Sequence, residues 1–157
     1  MDPITRLTAI EDIKQLKGRY FRGVDLKDRA LLLTVFAKDA VVDFRDSTRD
    51  TRTGLEAAPV PLSEVLHGNE AVADLIVQAG TVMDSVHHGS IPEIEILSET
   101  TAKGIWPMVD HLIFKSGLPA SELVGYGHYH ETYERVNGTW KIKTLKLTRL
   151  RVDNTPA

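Results

Sequence analysis

His87 and His88 stand before Gly89 where a strand is expected to begin. Consecutive side chains of an extended backbone point to opposite faces, so at most one of the two rings enters an interior pocket. An imidazole with a carboxylate on one nitrogen suits proton transfer near neutral pH, because the acid fixes the tautomer and makes the other nitrogen more basic. A satisfied core histidine is the plainer use of such a residue. Asp25 and Asp110 are the candidate acids. Alternation along Thr101–Lys115 puts Asp110 in one row with Gly104, Trp106, Met108, Leu112 and Phe114. A carboxylate in an apolar row is costly unless it is hydrogen-bonded or paired, so a partner is required.

Arg149 is one candidate for that partner. It continues the row of Leu145 and Leu147 after the apolar phase of the last strand slips by one residue, as a β-bulge near Thr144 would produce. An exposed strand end shared with Arg151 is the alternative. Tyr20 lies on an apolar helical face, so its hydroxyl needs an interior partner, and Asp25 follows five residues later at or just past the helix end. His128 and His130 share one strand face at a spacing seen in zinc sites, but no third ligand stands at diagnostic spacing. A polar sheet face or a subunit contact accounts for them equally well. No glycine-rich phosphate loop and no nucleophile elbow is present.

The elements that must position these groups are legible in outline. Leu7, Ile10, Ile13, Leu16, Tyr20 and Val24 recur at helical steps, with Glu11, Lys14, Lys17 and Arg19 assigned to the opposite face and Pro3 to the first turn. A second helix is expected with Asp28 as N-cap, burying Leu31, Leu32, Val35 and Phe36. A third follows Gly68-Asn69 with Val72, Leu75, Ile76 and Ala79 inward, and Gly80 ends it. Ile91–Leu97, Thr101–Lys115, Leu123–Val136 and Thr139–Val152 read as strands, with both faces of the second covered. Asn137-Gly138 makes a two-residue hairpin turn between the last two. Helices first and long antiparallel strands afterwards predict an α+β domain whose curved sheet wraps a long helix and encloses a pocket. The polar segment Arg45–Ser63 is either a lid or a surface loop.

Composition narrows the function classes. At 157 residues the chain fits one domain, 1–157. It has no cysteine, which excludes disulfides, thiolate metal sites and a cysteine nucleophile. A net charge of −3 speaks against nucleic acid as a partner. No run approaches the roughly 20 apolar residues of a membrane span. The opening MDPITRLTAIEDIKQL lacks an apolar leader core, so a cytoplasmic location is the expectation.

The strings IKQLKGRYFRGVD, SVHHGSIPEIEILSETTAKGIW, VDHLIF and YERVNGTWKI resemble the SnoaL-like branch of the NTF2-like cone-shaped α+β barrels, with the bile acid 7α-dehydratases most similar within it. The resemblance runs from about Ile10 to Val152. It implies a curved mixed or antiparallel sheet around a long N-terminal helix with two shorter helices. It also implies a set of catalytic positions matched here by Tyr20, Asp25, His87 rather than His88, Asp110 and Arg149. Scytalone dehydratases and hexachlorocyclohexane dehydrochlorinases look like more distant relatives sharing elimination chemistry. The dehydrochlorinases carry a lysine where Tyr20 stands, which favours loss of water here. Phe44 stands where the bile-acid enzymes have an aromatic hydroxyl, implying a different carbonyl contact.

The implied activity is a cofactor-independent hydro-lyase acting on a hydroxylated steroid-like or polycyclic carbonyl compound, with Phe44, Trp106, Met108 and Tyr129 as substrate contacts. Ketosteroid-type isomerisation and a non-catalytic binding module are the alternatives. No metal and no cofactor are expected. A homo-oligomer is, with trimer ahead of dimer.

Overall fold

A computed structural model describes residues 1–54 and 62–157. Helix α1, Pro3–Leu26, starts where the Asp2 carboxylate accepts from the Ile4 and Thr5 amides, and Pro3 needs no partner for its nitrogen. It ends at Lys27, whose left-handed backbone (φ 56°) lets its N–H reach the Gly23 and Val24 carbonyls. Helix α2, Arg29–Val35, is capped by Asp28 through the Leu31 amide and buries Leu32 and Val35. Helix α3 is Asn69–Ala79, with Val72, Ala73 and Ile76 buried. Among the described residues no helix is long and apolar enough to cross a membrane.

The strands are β1 Phe36–Asp43, β2 Val65–His67, β3 Met83–Gly89, β4 Glu93–Ile96, β5 Thr101–Phe114, β6 Ala120–Val136 and β7 Thr139–Pro156. They form one sheet in the order β2-β1-β7-β6-β5-β3, with β4 also on β5. Asn137 and Gly138 both have positive φ (48° and 79°) and close the β6–β7 hairpin as expected. The sheet curves over α1, and Ile13, Leu16, Tyr20 and Val24 meet Trp106, Tyr129, Tyr133, Ile142 and Leu147 in one core. Among the described residues, three helices and an unclosed, curved mixed sheet make the expected α+β cone.

Several expectations change. Phe36 begins β1 instead of ending α2; β1 runs parallel to β7, which makes the sheet mixed, one of the two forms expected. The histidine pair lies near the end of β3, not at the start of a strand; MDSVHHG has too few apolar residues to announce itself, and pairing with β5 defines it. Leu7 is exposed, because the first turns of α1 extend past the sheet. Lys17 is fully buried: three and four residues from Tyr20 and Ile13, it belongs by position to the apolar face despite its charge. Ile105 and Ile113 leave the outer face of β5 partly open in the single chain. Of Arg45–Ser63, residues 55–61 lie outside the described residues.

The slip in β7 is present: Thr132 pairs with Thr144 while Tyr133 pairs with Ile142. A second irregularity was not foreseen. Tyr126 pairs with Arg151 but Gly127 with Arg149, so Leu150 is the extra residue and Arg149 and Arg151 part company. Arg149 turns into the core and Arg151 to solvent.

Candidate active site

Beneath the sheet lies a cavity of about 390 Å³. Its wall is mostly apolar, including Val24, Phe44, Leu75, Ile76, Leu112 and Leu147, and Tyr20, Lys27, Ser47, Thr48, Ser85, His87, Asp110, Tyr129 and Arg149 interrupt it.

Alternation along β3 sends Ser85 and His87 inward and leaves Val86 and His88 exposed. Asp25, in the last turn of α1, meets that inward row. Its Oδ1 lies 2.6 Å from His87 Nδ1 while its Oδ2 accepts from the His87 amide at 2.9 Å. The Ser85 hydroxyl donates to Oδ1 at 3.1 Å and accepts from Lys27 Nζ at 2.7 Å. Burial alone would raise Asp25, but the hydrogen bonds from the His87 ring, the His87 amide and Ser85 hold it below the ordinary carboxylate value. With Nδ1–H given to Asp25, the free electron pair of neutral His87 is on Nε2, the nitrogen nearer the cavity's second acid. Phe21 stacks against the imidazole at 6.4 Å between centroids.

Asp110 Oδ2 stands 3.7 Å from His87 Nε2, too far for a direct hydrogen bond. Its partner is Arg149, which donates from Nη1 at 3.0 Å and Nη2 at 2.8 Å. Both side chains are almost completely buried, so the fork-shaped guanidinium meets a planar acid with water excluded. Arg149 Nε also donates to the Ser47 carbonyl at 2.6 Å, tying the segment after β1 to the site. Thr48 Oγ1, on the same segment, is buried without a hydrogen-bond partner among the described residues. The question of which acid takes Nδ1 is thus answered geometrically: Asp25 does, and Asp110 faces the other nitrogen.

Tyr20 and Tyr129 meet edge to face at 5.6 Å between centroids. Burial pushes the Tyr20 hydroxyl well above the usual phenol range, eased by a hydrogen bond with Tyr129, and burial raises Tyr129 likewise. Both stay protonated near neutral pH, so each is a donor and neither is a base. Lys17 lies under both rings, 4.0 Å and 3.6 Å from their centroids, paired with buried Glu131. Burial lowers Lys17 to about 8, with Glu131 opposing that shift.

Of the expected substrate contacts, Phe44 and Tyr129 line the cavity. Trp106 and Met108 are not among its lining residues, although they share the inward face of β5 with Asp110. The Trp106 indole donates to the Tyr133 hydroxyl at 2.8 Å, and the Met108 sulfur accepts from Arg149 Nη1 at 3.4 Å. An inward face here means core at one end of the strand and cavity at the other. His128 and His130 lie on the opposite face of β6, where His130 Nε2 meets Thr148 Oγ1 at 2.9 Å. Among the described residues no group of three or more histidine or carboxylate side chains is placed to hold a metal ion.

Sequence reasoning missed Lys17, Lys27, Ser85, Glu131 and Gly125. A Cβ on Gly125 would collide with the Arg149 guanidinium and the Asp110 carboxylate. A glycine inside a strand pattern is the available signal for such a close approach.

Residues 5–146 match the family described as SnoaL-like domain. A crystal structure named "Putative Scytalone Dehydratase", from Novosphingobium aromaticivorans, superposes with a TM-score of 0.78 at 21% identity, covering 98% of this chain and 91% of that one. Hexachlorocyclohexane dehydrochlorinase LinA-type3 from Novosphingobium barchaimii superposes with a TM-score of 0.73 at 22% identity, covering 99% of this chain and 94% of that one. These likenesses establish the fold, which is that of the NTF2-like superfamily. In sequence, "Probable cyclase FGR4" of Gibberella zeae is 29% identical over 68 residues, a stretch that spans 43% of this chain and 45% of that relative. The family match over most of its length, together with the cone fold, places the chain in the SnoaL-like domain family.

Proposed function

We propose that the protein is a cofactor-independent lyase that removes water from a hydroxylated, carbonyl-bearing apolar compound of steroid-like or polycyclic shape. The observation that carries this reading is the orientation of His87, with Nδ1 held by Asp25 and Nε2 facing Asp110 beside the cavity.

His87 Nε2 removes a proton from a carbon made acidic by conjugation to the carbonyl, and the released electron pair forms the new double bond as the C–O bond breaks. The departing hydroxyl takes the proton that His87 Nε2 has accepted and leaves as water, which returns the imidazole to its neutral form. Asp25 balances the imidazolium while it exists and keeps the ring from rotating. Tyr20, a donor held on the cavity wall, supplies a hydrogen bond to the substrate oxygen that gathers charge. Arg149 fixes Asp110 so that its carboxylate stands beside Nε2, where one substrate group on the cavity side can contact both. A cavity of about 390 Å³ lies within the range of roughly 300–1,000 Å³ of small-molecule sites and accepts a compact polycyclic body.

The test is incubation with a panel of hydroxylated polycyclic ketones, read by mass spectrometry. Loss of one water from a panel member supports the reading, and an unchanged mass with a moved double bond indicates isomerisation instead. His87→Ala abolishes turnover with unchanged circular dichroism, and an undiminished rate in that variant removes His87 from the reaction. The chain works as a homo-oligomer, trimer ahead of dimer. Exposed Ile105, Ile113 and Tyr126 on the outer sheet face support that reading, and light scattering tests it.

A further inference from the structure

We infer that the cavity is built for an apolar molecule carrying one carboxylate, which docks on the Lys27 ammonium. The inference rests on the cavity being the substrate site, as proposed above, and not on the reaction performed there.

Among the described residues two basic side chains line the cavity, Lys27 and Arg149. Arg149 is already answered by the two oxygens of Asp110. Lys27 is not. Its Nζ donates to the Val24 carbonyl at 3.0 Å and to the Ser85 hydroxyl at 2.7 Å, both neutral oxygens. Among the described residues no carboxylate stands within ion-pair distance of it; Asp25 and Asp84 act on it only at longer range, and the Lys115 ammonium opposes them. An ammonium has three donors, so one N–H remains beyond those two bonds. A charge on a mainly apolar wall is costly until an opposite charge arrives, and an anionic ligand supplies it.

Two features of the backbone hold the ammonium there. Lys27 occupies the left-handed position that ends α1, with φ 56°, a place where glycine is the residue of least strain. A side chain kept in that conformation points to a use for it. Gly80, at the end of α3, has an ordinary φ of −62° that any residue adopts. A Cβ there would lie 2.9 Å from Lys27 Cγ and 3.3 Å from Cδ, so the missing side chain gives the lysine stem its path. Ser85 then stands between the ammonium and Asp25, donating to one and accepting from the other. A carboxylate bound at Lys27 is thereby separated from Asp25, and the Nε2 side of His87 stays free for the reacting carbons.

The experiment measures naphthylacetate and its methyl ester by calorimetry at neutral pH against the wild type, Lys27→Met and Lys27→Arg, with His87→Ala as a control. The acid is expected to bind wild type roughly tenfold or more tighter than the ester, the margin of a charge-assisted hydrogen bond. Lys27→Met loses that preference while its affinity for the ester holds, and Lys27→Arg keeps it. Lys27→Gln replaces the methionine variant if that chain does not fold. Equal affinities in the wild type, including no measurable binding of either compound, overturn the inference. So does a preference that survives in Lys27→Met. His87→Ala retains the preference, which separates the two readings: acid selectivity without any dehydration product sinks the lyase reading alone.

Discussion

The imidazole of His87 and the carboxylate of Asp25 are joined twice, through the ring Nδ1 at 2.6 Å and through the backbone amide at 2.9 Å. One contact orients the ring and the other anchors the carboxylate to the strand that carries the ring. Asp25→Asn keeps the shape but replaces an acceptor by an amide that can present N–H to Nδ1, which favours the tautomer with the proton on Nε2. Turnover is expected to fall by roughly 10²–10⁴-fold, the usual contribution of a positioned base, with near-native circular dichroism. A rate within a few-fold of wild type removes Asp25 from the mechanism.

The same contact sets a pH dependence. Asp25 is held below its ordinary value of 3.8, because hydrogen bonds from His87 and Ser85 outweigh the effect of burial. Below the unfolded value the unfolded chain binds more protons here than the folded one, so the stabilisation is full above that value and is lost as pH falls through the folded one. The difference in Tm between wild type and Asp25→Asn should therefore narrow on acidification below about pH 4. A difference that stays constant or widens there contradicts an ionised, hydrogen-bonded Asp25.

Gly125 pairs with Asp110 on one side and Val152 on the other, and its bare Cα lets the Arg149–Asp110 pair close against β6. Gly125→Ala adds one methyl group and no charge, yet it must displace that pair. Activity should fall at least as far as in Arg149→Lys, and Tm should drop by several degrees. Wild-type behaviour of the alanine variant means the pair moves without consequence.

Lys17 and Glu131 bury opposite charges beneath Tyr20 and Tyr129, with the Tyr133 hydroxyl donating to Glu131 at 2.5 Å. Lys17→Met strands a buried carboxylate, a change that typically costs about 3–5 kcal/mol, whereas Lys17→Met/Glu131→Gln removes both charges and should recover most of that loss. Because burial lowers Lys17 from 10.5 to about 8, the unfolded chain binds its proton more tightly between those values. Stability of the wild type relative to the double variant should rise with pH across that window. Denaturant unfolding at pH values on both sides of it provides the check.

Much of this was readable from the chain alone. The span of α1, the Asp28 cap of α2, the Asn137-Gly138 turn, the inward row of β5 and the slip in β7 are local: each depends on spacing, backbone chirality or alternation within a few residues. Residue types at Tyr20, Asp25, His87, Asp110 and Arg149 likewise marked them as candidates. Their arrangement was not local. Asp25 meets His87 across 62 residues and Asp110 meets Arg149 across 39, and no periodicity reports which acid takes which nitrogen.

Tertiary packing decided the remainder. Leu150 bulges and so parts Arg149 from Arg151; β1 joins β7 in parallel; β3 exists because β5 offers it an edge. Position on the helix put Lys17 inside once Glu131 was there to meet it. One strand face became core at Trp106 and Met108 and cavity at Asp110, because where α1 packs closely the sheet has no space to enclose. Sequence patterns specify which side of an element is buried. Whether that side meets another side chain or an empty volume depends on how far the partner element stands away, and only the assembled sheet and helices set that distance.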